Sequence, residues 1–152
     1  MSIALTLHLL SAIIWVGGMF FSYVILRPVA GQLLEPPVRL TLWSNVFKGF
    51  FPWVWVAILV LFVSGYWMVF NAFGGFKGAG THIHIMHGLA LLMTAIYLHL
   101  FFAPRKRLNR FVADQDWPAA GKQLAQIRVL VGINMVIGFV VAAVGSGGRY
   151  LF

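Results

Sequence analysis

Five histidines carry most of the chemistry this chain can offer: His8, His82, His84, His87 and His99. Three of them crowd into "THIHIMHG", residues 81–88, directly ahead of an apolar run. Neutral imidazole is the commonest protein ligand for transition metals and the usual axial ligand of haem iron. Ionisable side chains are costly inside a bilayer, so each histidine there is a functional suspect. The acids narrow the choice. Only Glu35, Asp114 and Asp116 are present, and all fall between the apolar runs. Paired-carboxylate catalysis and intramembrane carboxylate relays therefore lack the residues they need. The absence of cysteine removes thiolate ligands, cysteine nucleophiles and disulfides.

The elements that must position these imidazoles are membrane spans. The chain has 152 residues, 61% hydrophobic and 9% charged, where a soluble domain carries about 25% charged. Residues 1–26, 49–76, 78–104 and 129–148 hold no charged side chain. Each run supplies the ~20 apolar residues that cross a ~30 Å hydrocarbon layer. The expected fold is all-α: an integral membrane four-helix bundle in a single domain, residues 1–152. Its helices are placed at about 3–26, 50–73, 81–103 and 118–145. Pro28 is expected to end the first, and Pro104 the third. Val38, Leu42, Val46 and Phe50 recur every fourth residue, which suggests an amphipathic helix over 37–48 lying at the interface or leading into the second span. Asp116 and Pro118 read as the start of the fourth helix. Gly132, Gly138, Ala142 and Gly145 share one of its faces, a pattern that permits close packing in the bundle. The first run lacks a basic lead and a small-residue cleavage site, so it reads as a mature helix rather than a secretory leader.

The net charge of +8 does not signal nucleic acid. Arg27, Arg39 and Lys48 follow the first span; Arg105, Lys106, Arg107, Arg110, Lys122 and Arg128 follow the third. By the positive-inside rule that side is cytoplasmic. Both termini then face the periplasm, for a multi-pass protein of a bacterial inner membrane, and the basic clusters attract anionic membrane lipid.

Depth links two of the histidines. The first and third spans run in the same direction, and His8 and His87 lie five and six residues inside their starts. At ~1.5 Å per residue both sit roughly 8–9 Å deep. Two imidazoles at one level on facing helices are what a six-coordinate haem b needs. His8, Ser11, Trp15, Gly18 and Ser22 form a stripe on the first helix, with small residues that would admit a flat macrocycle. The alternative for this stripe is plain helix packing. His84, His87 and His99 project within about 120° on the third helix. A second haem at His99 lacks a second histidine within the chain, unless a homodimer partner provides it. His82, His84 and Met86 form a weaker copper candidate, since imidazole with thioether suits copper by softness.

"LHLLSAIIWVGGMFFSYVILRP", residues 7–28, resembles the opening helix of the copper-resistance protein D (CopD) family and of HemJ-type protoporphyrinogen oxidases. The matching residues are His8, Trp15, Gly17, Gly18 and Arg27, and the "YLHLFFAPRKRL" end of the third helix is also similar. The CopD likeness implies copper handling or passage. The HemJ likeness implies a b-type haem at His8 and oxidation of protoporphyrinogen IX. HemJ-type proteins carry a lysine near the outer end of the third helix, whereas this chain has His84 and His87. That departure favours bis-histidine ligation by His8 and His87, and electron transfer with a quinone or a periplasmic redox partner. If the protein is an enzyme, it is expected to be an oxidoreductase.

Overall fold

The computed structural model describes residues 1–150, and they form an all-helical membrane bundle. Helix α1 spans Ser2–Phe20. It widens into a π-helical stretch at Phe21–Leu26 and continues as α2, Arg27–Leu33. Helix α3 runs unbroken over Pro36–Phe73. A short 3-10 turn, Phe76–Gly78, leads to α4 at Thr81–Phe102. Helix α5, Pro104–Ala113, precedes α6, Trp117–Gly147, and a final 3-10 turn covers Gly148–Tyr150. Four of these segments are long and apolar enough to cross a membrane.

Two prolines sit inside helices, one of them against expectation. Pro28 lies inside the first helical rod rather than at its end. A proline lacks the N–H that continues the helical ladder. Just before it, the Arg27 N–H reaches back five residues to the Ser22 carbonyl. This wider turn re-registers the ladder, so the rod passes the proline. Pro52 sits within α3, and of the two alternatives for 37–48 the structure shows a helix leading directly into the second span. Packing holds the register through it. Trp43, Phe47 and Phe51, one turn apart, are all buried, with ring centroids 5.4 and 5.1 Å apart. Beside the proline, the Tyr97 hydroxyl donates to the Phe51 carbonyl at 3.1 Å, bracing α3 against α4. At ~1.5 Å per residue, 38 residues exceed the ~30 Å core, so α3 extends well beyond it.

Pro104 does stop α4, but the basic segment after it forms α5. That helix is amphipathic. Leu108 is wholly buried and Pro104 faces inward, while Lys106, Arg107 and Arg110 are exposed. Ser44 on α3 donates to Asn109 Oδ1 at 2.8 Å, fastening α5 across the bundle. The Asp116 side chain accepts from the Ala119 N–H at 3.2 Å, the N-cap expected for the fourth span. At the other end α3 stops at Gly74 and Gly75, whose φ values of 66° and 113° suit glycine best.

Helix α1 packs chiefly along α3, and α4 along α6, with α6 also meeting α1 and α3. The first and third spans, expected as neighbours, touch only marginally. The small residues of α6 mark close contacts within the bundle: Gly132 faces Tyr23, Gly138 faces Val16 and Met93, and Gly145 faces Met86. A Cβ at Gly132, Gly138 or Gly145 would come within about 3 Å of these side chains, so the glycines let the rods approach. Outward positions such as Ile13, Trp53, Leu59, Val63 and Phe70 are strongly exposed, the surface expected of helices facing lipid.

Candidate functional site

The starts of α1 and α4 and the end of α3 lie at one end of the bundle. All of its histidines except His99 are there. His8 faces α3, where its Nδ1 lies 2.9 Å from Ser64 Oγ. The Ser64 hydroxyl donates its one proton to the Val60 carbonyl at 2.5 Å. A hydroxyl so engaged can accept from His8 Nδ1–H, in the tautomer that leaves Nε2 its lone pair. Gly65 makes room for the ring, since a Cβ there would lie 3.3 Å from His8 Cε1.

His87 also reaches α3. Its Nε2 is 3.0 Å from the Tyr66 hydroxyl, and its ring centroid is 5.0 Å from that of Phe76. Ser64 and Tyr66 differ by two residues, or about 3 Å of rise. Both imidazoles are thus anchored on one turn of α3. Residues two apart on a helix point about 200° apart, however, so the rings are held on different flanks of that helix. His84 is exposed and stands 6.0 Å from Phe76, centroid to centroid.

His82 and Met86 turn the other way, toward α6. Helix α4 begins at Thr81, so His82 is helical and one turn before Met86 on the same face. The His82 Cβ packs against Gly148, and the Met86 thioether lies over Gly145. Glycines at these two positions bring α6 against both side chains. His82 Nδ1 is buried and has no hydrogen-bond partner. His84 diverges from this pair by about 200°. Among the described residues no three His, Asp or Glu side chains gather into a metal-binding group. Any soft-metal site here therefore rests on nitrogen and sulfur together.

The remaining candidates lie deeper or at the opposite end. Ser11 and Trp15 are buried in the bundle, and Trp15 meets Tyr97 edge-on at 6.2 Å. The space at Gly18 is filled by Phe50, whose ring a Cβ there would overlap. A nearby core cavity, lined by Trp15, Met19, Phe50 and Asn134 among others, measures about 20 Å³. That is room for one water molecule. Ser22 bonds the Met19 carbonyl at 3.1 Å. Arg27 donates to the Tyr23 carbonyl at 3.2 Å and lies 4.5 Å from the centre of the Tyr23 ring. His99 is exposed in the last turn of α4.

Ser64, Tyr66 and Phe76 are the site residues that pattern reading misses. Their only sequence signal is polar and small residues inside an apolar run, "VSGYW" at 63–67.

Residues 44–147, more than half of the chain, match the family model described as copper resistance protein D. No curated protein and no solved structure matches the chain. The matched segment begins within α3 and ends with α6, so it includes His82, Met86 and Gly145. The protein is a multi-pass membrane member of the copper resistance protein D family.

Proposed function

We propose that this protein handles copper at the histidine-rich end of its bundle, with the ion as cargo held by His82 and Met86. One observation carries the reading: His82 has a buried ring nitrogen, packed against Gly80, without a partner, and Met86 follows one turn later on the same helix face. An unpaired buried polar atom is costly, and a bound ion would relieve that cost. Nitrogen with thioether sulfur is a donor set suited to copper(I). Membership of the copper resistance protein D family supports the same conclusion. With no cysteine and no carboxylate in the spans, thioether and imidazole are the soft donor types the chain offers. The localisation that fits is a bacterial inner membrane with this end facing the periplasm.

The test is a copper(I) titration of detergent-purified protein against a chromogenic chelator. His82→Ala and Met86→Leu should each weaken binding by at least the roughly tenfold that loss of even an outer-shell partner costs. Wild-type affinity in both variants contradicts the assignment.

A second reading is a haem b clamped by His8 and His87 for electron transfer, both rings being anchored on one turn of α3. His8 is suited to it, because Ser64 orients the ring and leaves Nε2 free. His87 would have to exchange Tyr66 for the iron. A bound haem would supply one-electron chemistry, and quinone or a redox partner would then complete the path. Purified protein that stays colourless when made in haem-replete cells removes this reading.

A further inference from the structure

The opposite end of the bundle holds a cavity of about 530 Å³, bounded by the start of α3, by α2 and by the first turns of α6. This is within the ~300–1,000 Å³ range of small-molecule sites. Arg27, Arg39 and Arg128 line it, and no carboxylate does. The side-chain partners of Arg27 and Arg39 are backbone carbonyls, those of Tyr23 and Leu34. Their positive charge is not neutralised there. The rest of the lining is largely apolar, with Leu40, Trp43, Phe47, Ile127 and Val131. Trp117, the first residue of α6, lines it too. Tryptophan favours the headgroup level of a bilayer, which sets the mouth of the cavity at that level.

We infer that this cavity is a seat for an anionic phospholipid, its phosphate on the three arginines and the start of an acyl chain on the apolar floor. Guanidinium groups recognise phosphate oxygens by paired N–H donors. A small soluble anion would satisfy the arginines but would leave the floor unused. The charge and the apolar depth together select an amphiphile, and the surrounding leaflet supplies one. This inference is independent of the copper reading.

Native mass spectrometry of the full detergent-purified chain tests it, with equal amounts of phosphatidylglycerol and phosphatidylcholine offered together. Phosphatidylglycerol should be retained in preference. Arg39→Gln and Arg128→Gln should each weaken that retention about fivefold, the effect of one basic residue at a membrane surface. Gly31→Leu keeps every charge and projects into the cavity from a position where a Cβ meets nothing within 4 Å. It should abolish retention while the fold stays intact. Lys106→Gln with Arg107→Gln, on the exposed face of α5 outside the cavity, should leave retention unchanged. Equal retention of the two lipids overturns the inference, as does wild-type preference in the Arg39, Arg128 and Gly31 variants. An equal loss in the α5 control also overturns it, because surface charge alone would then explain the effect. So does displacement of phosphatidylglycerol by glycerol phosphate or inorganic phosphate, which would make this a site for free anions.

Discussion

The two ends of the bundle solve opposite problems with different residues. At the histidine end, imidazoles, a thioether and aromatic rings sit close against neighbouring helices, with Lys77 and Arg149 the only charged side chains between or beyond the spans. His8, His82 and His87 are half-buried there, each tied to a particular neighbour. At the basic end, arginines surround an open cavity and bond mainly to backbone carbonyls. The first arrangement is built from soft, neutral donors and suits a metal ion. The second is built from fixed positive charge and suits an anionic headgroup. The contrast teaches that composition alone misleads here. Nine of the eleven basic residues and all three acids lie at one end, and the proposed metal site lies at the other.

The comparison can be broken from either side. The largest effect is expected at the basic end from Leu108→Ala. This side chain is wholly buried between α5 and its neighbours, so its truncation should cost about 2–5 kcal/mol. Thermal unfolding in detergent measures it. A wild-type melting temperature would mean that α5 is not anchored as described. A smaller loss is expected for Tyr66→Phe, which removes the hydroxyl bonded to His87. Polar contacts between membrane helices average ~0.6 kcal/mol, and unfolding titrations of this variant should show a loss of that order.

Gly145→Ala should change stability least. Its added Cβ would meet the Met86 methyl at 2.9 Å, the free end of a flexible side chain that can move aside. The same movement should displace the thioether, so copper(I) affinity should fall while the melting temperature holds. A copper affinity that is unchanged would separate Met86 from the site. In Arg39→Gln the pattern should reverse, with lipid retention falling and copper affinity staying at wild type. Coupled losses in both variants would show that the ends are not independent.

Much of this architecture is legible in the chain. Four charge-free runs announce the spans, since a bilayer excludes charge over a fixed thickness. The Asp116 cap and the glycine face of α6 are legible for similarly local reasons. What stays hidden depends on long-range packing. Pro28 and Pro52 look like breaks because proline removes a donor and crowds the preceding turn. Whether a helix stops there is decided by a π-helical turn in one case and an aromatic ladder in the other. Helix α5 is obscured because its apolar residues are few among arginines and lysines. The candidate site divides in the same way. The end of the bundle at which the histidines lie can be read from spacing, as His8 and His87, both partnered on α3, illustrate. The neighbour each ring faces cannot, because spacing along one helix does not say which helix lies opposite. Thus His82 and Met86 face α6, while His84 and His87 lie toward Phe76.

The most direct test of a soft-donor copper site is copper K-edge X-ray absorption on the copper(I)-loaded protein. A sulfur scatterer should be present in the wild type, absent in Met86→Leu and retained in His84→Ala. A shell of nitrogen and oxygen alone, or a sulfur signal that survives the loss of Met86, would contradict the account.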